Sequence, residues 1–297
     1  MTRKNFKILI SSATILLSLF SPLSAKAETV IEKVRSTGIL TAGVRKDGFP
    51  LTFQRNQRWE GYSVDLIKLI KKELEAELKK PIQINFVEVT AQNRIPLVVA
   101  NTIDIVCDST SFTWHRSRFV DFSIPYFITG TQLLVKANSG LNTLESLQLK
   151  KIGAISSSTN ELEIIQKLGK AILVPVNNGE EGFSALEKGE IDAFAWDGVL
   201  LAGLKKNMPN ATSVNIIPNQ PLDSKGCSCI IPENNSDFSD IVDYTLVKFM
   251  QGIIDNQSED VAIFRSWFSG SDYDYIINYF REQVNSRERI PLKSPQN

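Results

Sequence analysis

The chain has 297 residues, with 33 basic and 33 acidic side chains, one histidine and three cysteines. That balance excludes a polyanion-binding surface built on net charge, and one histidine with three cysteines excludes a zinc site of ordinary ligand spacing. There is also no phosphate loop, dinucleotide fingerprint or GxSxG nucleophile motif, so no metal, no cofactor and no nucleic-acid partner is expected.

Residues 1–27 carry a basic head (Arg3, Lys4, Lys7), an apolar centre from Ile8 to Phe20 and the small-residue ending Ala25-Lys26-Ala27. This is the layout of a secretory signal peptide, and its apolar run of about 13 residues falls short of the roughly 20 that span a bilayer. Cleavage removes four basic residues (Arg3, Lys4, Lys7, Lys26) and no acid, taking the formal charge from zero to −4. The remaining length, about 270 residues, exceeds a usual single core and predicts two lobes. No later stretch is apolar enough to cross a membrane, so the mature chain is expected to be exported and soluble. In an oxidising compartment Cys107, Cys227 and Cys229 permit one disulfide. Cys227 and Cys229 are poorly placed to bridge each other, which leaves Cys107 with either of them, or three buried thiols.

In chain order, a short helix at Val30 to Arg35 precedes a buried strand, Ile39 to Val44, that delivers Arg45 into a turn at Lys46, Asp47, Gly48 and Pro50. A short strand follows at Leu51 to Gln54. From Tyr62, Val64, Ile67, Leu69, Ile70, Leu74 and Leu78 fall at helical spacing, with Lys68, Lys71, Lys72, Glu73 and Glu75 on the solvated side. Ile82, Ile84 and Phe86 alternate as in a strand. The polar run Thr90 to Arg94 then leads to a short helix from Ile95 and a strand from Ile103 to Cys107.

The strand–helix alternation predicts a parallel α/β sheet with polar residues after three strands: Arg45, then Thr90 to Arg94, then Asp108 to Arg116. Residues 121–136 read as an extended crossing into a second unit. Its strands are Thr131 to Val135, Lys151 to Ile155, Ile172 to Val176, Ile191 to Ala195 and Val214 to Ile217. Ser158 with Glu161 forms a capping-box pattern at a helix start, helices are predicted at Gly182 to Lys188 and Val199 to Leu204, and Asp197 stands at a strand end. An apolar run at Cys227 to Ile231 and helices at Phe238 to Gln251 and Val261 to Phe268 complete the chain, with a polar tail after Asn285.

Arg45, Arg94 and Arg116 at strand ends, with Asp197 and the helix start Ser158-Thr159, match a small zwitterion carrying an additional negative charge. Arg116 is the anion anchor of this reading. His115 lies in a polar turn and reads as a surface residue, and the adjacent Glu180 and Glu181 read as a solvated loop.

The segments GILTAGVR, GYSVDL, TIDIVCDSTSFTWHRSRFVDFSIPYF and DAFAWDGVLLAG resemble the extracellular solute-binding proteins, family 3, that feed polar amino acids to ABC importers. GVR, QNRIP and DxVLLAG resemble the glutamate/aspartate-binding branch in particular. The resemblance implies an α/β, two-lobe type II periplasmic-binding-protein fold with two hinge crossings, closing on its ligand. Lobe 1 would hold 28–128 and 230–297, and lobe 2 would hold 129–229.

Carried over by the resemblance, Arg116 grips the α-carboxylate with the hydroxyls of Ser111 and Thr159. Asp197 and Ser109 receive the α-ammonium, and Arg45 and Arg94 hold a side-chain carboxylate. It further implies a periplasmic monomer that captures glutamate or aspartate, delivers it to a membrane permease and is not an enzyme. Two positions depart from the acidic branch: Gly179 stands where it has a histidine, and Ala91 where it has a serine. Asn177 or Asn178 is then the candidate replacement donor, and glutamine or asparagine the alternative ligand. The other readings are a lyase- or dehydratase-type enzyme on the same fold, with Glu180 or Glu181 as its acid–base group, and a soluble amino-acid sensor.

Overall fold

The computed structural model describes residues 28–269 and 272–288. The signal-peptide expectation for 1–27 and the tail beyond 288 lie outside the described residues.

The first unit opens with α1 (Val30–Thr37), started by a Thr29/Glu32 capping box and stopped by Gly38 in the left-handed conformation. β1 (Ile39–Val44) follows, then the short strands β2 (Asp47–Gly48), β3 (Thr52–Arg55) and β4 (Arg58–Glu60). α2 (Tyr62–Leu78) buries Val64, Ile67, Ile70 and Leu74, as the apolar spacing predicts. β5 (Gln83–Glu88), α3 (Arg94–Val99), β6 (Ile105–Ser111) and β7 (Val120–Thr129) lead to the crossing.

The second unit comprises β8 (Thr131–Lys136), β9 (Lys151–Ile155), α4 (Thr159–Lys167), β10 (Ile172–Val176), α5 (Gly179–Lys188), β11 (Ala193–Asp197), α6 (Gly198–Asn207) and β12 (Val214–Ile217). The chain then returns through β13 (Lys225–Pro232) and ends in α7 (Ser236–Ile254), α8 (Ser258–Trp267) and α9 (Asp272–Glu288).

Two five-stranded sheets result, ordered β5-β1-β6-β13-β7 and β10-β9-β11-β8-β12. β1 pairs in parallel with β5 and β6, and β9 with β10 and β11, whereas β13 and β8 run antiparallel to their neighbours. The carboxyl ends of the parallel strands release Arg45, Thr90, Ser156, Asn177 and Asp197, the edge where open α/β sheets place ligands. Tyr62 anchors the core of the first unit. It is fully buried, its ring meets Tyr126, Phe127, Phe249, Phe264 and Phe268, and its hydroxyl donates to the Tyr126 carbonyl.

Four sequence expectations change. β6 continues to Ser111, so Asp108, Ser109 and Ser111 belong to the strand and not to a loop after it; β13 pairs across Cys107 and Ser111 and extends it. Residues 225–229, assigned by sequence to lobe 2, lie in β13 and pair with β7 and β6 in the first sheet. α5 starts at Gly179, three residues earlier than expected, because the Asn178 side chain caps it by accepting from the Glu181 N–H. α9 is a full helix, burying Ile276, Ile277, Phe280 and Val284 at helical spacing where the reading named no element.

Of the cysteine pairings left open, Cys107–Cys229 forms and Cys227 remains a buried thiol. Burial pushes the Cys227 thiol well above its ordinary pKa.

Candidate functional site

The carboxyl edges of the two sheets face each other. Between them lies a cavity of ≈ 10 Å³ lined by Arg45, Ala91, Arg94, Ser109, Thr159, Asp197 and neighbours including Asn160 and Trp196. That space is too small for an amino acid, so admitting one requires the lobes to part. Five of the seven expected site residues line it; Arg116 and Ser111 do not. A larger cavity of ≈ 560 Å³ lies against β7, β13 and α9, where Tyr279 and Gln283 form part of its wall, and its lining contains none of the three arginines.

Each arginine is held differently. Arg45 is 4% exposed, and its Nε and Nη2 both donate to Asp47, at 3.0 and 3.0 Å. Its guanidinium also lies 5.6 Å from the centre of the Trp196 ring. Arg94 donates from Nη1 to Asp108 Oδ2 at 2.6 Å, while its buried Nε has no partner among the described residues. Arg116 donates from Nη1 to the Ser111 carbonyl at 2.9 Å and from Nη2 across the cleft to the Ser157 carbonyl at 3.1 Å. No acid among the described residues lies within ion-pair distance of it. Burial, reinforced by the charge of Arg94, lowers its pKa to about 10, so it remains protonated at neutral pH.

The acids answer in kind. Burial alone would raise Asp47 and Asp108, but Arg45 outweighs it at Asp47, and Arg94, Arg45 and the Thr110 hydroxyl outweigh it at Asp108, leaving both below the usual carboxylate range. At Asp197 burial wins: hydrogen bonds from Asn160 and Ser109 and the charge of Lys225 offset it only in part, so its pKa is raised. Asn160 Nδ2 bridges Asp197 Oδ1 and Thr131 Oγ1, at 3.1 Å each, and fixes the carboxylate. Asp197 has no ion-pair partner among the described residues.

Ser109 therefore reaches Asp197 from the opposite lobe. Ser111 contributes its carbonyl to Arg116, and Thr159 is the first residue of α4. Ser158 caps α4 through the Glu161 N–H, but Glu161 returns to Ser157 N–H and not to Ser158, so the expected capping box is half formed.

Of the donors proposed to replace a histidine at 179, Asn177 is engaged elsewhere and Asn178 is held through its side-chain oxygen. Asn178 caps α5, and Asn177 donates to Glu181 at 2.8 Å. A Cβ at Gly179 would run into the Trp196 ring, so this position admits no side chain. Its N–H instead donates to Asp47 Oδ2 at 2.9 Å. Glu180 and Glu181 are exposed and outside the cavity lining, and His115 is exposed and packs on Phe119.

Sequence reasoning missed Asp47, Asp108 and Asn160 as site residues. Asp47 had a readable signal in lying two residues beyond Arg45, whereas nothing local to Asp108 marks it as the partner of Arg94. Asn160 looked like an ordinary first-turn residue.

No described helix is long and apolar enough to cross a membrane, and no described cluster of acids, histidine and cysteine is arranged to hold a metal. The chain is 31% identical over 246 residues to the L-glutamate/L-aspartate-binding protein of Pseudomonas aeruginosa, covering 79% of this chain and 80% of that one. It is 29% identical to the glutamate/aspartate import solute-binding protein of Salmonella typhimurium, covering 75% of each, and 31% identical to the glutamine-binding protein of Geobacillus stearothermophilus, covering 61% of this chain and 69% of that one. A solved substrate-binding protein of an amino acid ABC transporter superposes with a TM-score of 0.68 at 20% identity, covering 77% of this chain and 99% of that one, and so shares the two-lobe periplasmic-binding fold. The profile of the bacterial extracellular solute-binding proteins, family 3, matches residues 40–269, and with both sheets and both crossings in place the chain belongs to that family.

Proposed function

We propose that this chain is the amino-acid-binding protein of an ABC importer, closing its two lobes around a ligand with a short polar side chain and presenting the closed form to a membrane permease. One observation carries the reading. Arg116 in one lobe and Asp197 in the other are buried opposite charges with no ion-pair partner among the described residues. Uncompensated buried charge is costly, and a zwitterion between them satisfies both. The α-carboxylate goes to Arg116, the α-ammonium to Asp197, with Ser109, Ser111 and Thr159 supplying hydroxyls. The glutamate/aspartate-binding relatives and the free Nε of Arg94 favour an acidic side chain. The Arg45–Asp47 pair favours a second reading, the amide side chain of glutamine or asparagine. Exposed Glu180 and Glu181 give no support to acid–base chemistry in the cleft.

Calorimetry on the mature chain tests this: at least one of glutamate, aspartate, glutamine and asparagine is expected to bind, and binding of none would sink the proposal. A second expectation follows from Asp197. Its pKa is raised in the free protein, so the folded state holds more protons than the unfolded one just above the ordinary carboxylate range, and ligand-free stability falls as pH rises there. An ammonium group pulls that pKa back down. Affinity is therefore expected to strengthen as pH rises through the same window and to level off near neutrality, and Asp197→Asn should weaken binding and flatten the profile. An unchanged slope in that variant would assign the dependence to another group.

A further inference from the structure

From the contacts around Arg45 we infer that Asp47 is the specificity-determining residue of the side-chain subsite: its carboxylate takes the place of a ligand carboxylate and turns the subsite against dicarboxylates. The inference rests on the amino-acid reading and decides its open choice between acid and amide.

The geometry is that of a bound anion. Both oxygens of Asp47 receive donors from Arg45, at 3.0 and 3.0 Å, the fork-to-fork arrangement by which a guanidinium binds a carboxylate. Oδ2 also accepts the Gly179 N–H at 2.9 Å, the first backbone donor of the ten-residue helix α5, where the helix dipole favours negative charge. The ion pair is nearly water-free, with side-chain exposures of 5% and 8%.

The surroundings leave no second place for an anion of the same kind. Trp196 fills the space beside Gly179, so position 179 carries no side chain that could add a donor. Ala91, on the cavity wall, adds none either. Arg94 is already paired with Asp108. The subsite thus holds two arginines and two aspartates, neutral as a set. A carboxylate entering it finds Arg45 already neutralised by Asp47 and adds an unpaired negative charge, whereas a carboxamide adds none. The amide oxygen can accept from the unpartnered Nε of Arg94 without adding charge. The same contact joins the lobes, because Asp47 belongs to one and Gly179 to the other.

Titration calorimetry of glutamate, aspartate, glutamine and asparagine against the mature wild type, Asp47→Asn and Asp47→Ser provides the test. Each variant removes the charge, and the serine variant also removes the competing bulk. The wild type is expected to bind an amide at least tenfold tighter than the matching acid. In the variants the acid-to-amide affinity ratio should rise at least tenfold, as Arg45 is released for a ligand carboxylate. A ratio unchanged within threefold in both variants overturns the role of Asp47 while leaving the amino-acid reading intact. Loss of all four ligands by the wild type overturns the amino-acid reading itself. Thermal unfolding identifies a variant that fails to fold, and the ratio is then read from the other.

Discussion

Arg116→Ala is expected to remove binding of every amino acid, acids and amides alike, by at least 100-fold, because the α-carboxylate is common to all of them. Deleting one partner of a buried charge pair costs about 3 to 5 kcal/mol, most of it from the charge left unpaired. In the free protein the Arg116 guanidinium makes only carbonyl contacts among the described residues, at Ser111 and Ser157, so its loss breaks no ion pair among them and the fold should persist. The two consequences separate cleanly: calorimetry should show no heat of binding, while circular dichroism and thermal unfolding of the ligand-free variant stay close to wild type. Retention of glutamate or glutamine affinity within tenfold of wild type would remove Arg116 from the site.

The largest expected effect on stability is that of the Cys107–Cys229 bond. The two residues are 122 apart in sequence, and between them the chain leaves the first sheet, builds the whole of the second and returns. Closing a loop of that length restrains the unfolded chain by roughly 5 kcal/mol in the chain-entropy view, and removal of native disulfides costs about 2 to 5. The double variant Cys107→Ser, Cys229→Ser should therefore lose about 3 to 5 kcal/mol in urea unfolding, read as a lower midpoint at similar slope. Because Asp108 and Ser109 directly follow Cys107 on β6, a loss of ligand affinity beyond the loss of stability would show that the bond also positions the site. A midpoint within experimental error of wild type would refute the stabilising role.

The fold was legible in the sequence where local pattern and tertiary burial agree. The spacing of Val64, Ile67, Ile70 and Leu74 marks α2, and the apolar runs at 39–44 and 151–155 mark strands buried on both faces, as parallel strands are. The failures have a common physical origin in contacts between residues far apart in the chain. β6 runs to Ser111 because β13, more than a hundred residues later, pairs with it; nothing local to CDSTS asks for a strand. α9 hides its apolar stripe in a polar stretch, and only packing against α7 and β7 makes it worth forming.

At the candidate cavity, lining residues were readable and partnerships were not. Arg45, Arg94, Ser109, Thr159 and Asp197 can be found as polar residues at strand ends and a helix start. That Arg45 is already bound to Asp47, and Arg94 to Asp108, depends on side-chain directions that a sequence does not record. The same limit applies to Gly179. It reads as a missing donor in the chain, whereas in three dimensions it is the only residue that fits beneath Trp196, and its backbone supplies the donor.

The two crossings are neighbours: Thr129 at the end of β7 pairs with Lys225 at the start of β13, and just past them Thr131 N–H donates to Asp223 while Leu222 N–H donates to Thr131. A pair of strands laced together in this way resists twisting and sliding far more than it resists flexing across its face. In the proposed closure, the laced strands confine the lobes to a swing along one arc. On the amino-acid reading, the strand pairing at residues 129 and 225 then sets the spacing of Arg116 and Asp197, the two charges proposed to span a zwitterion.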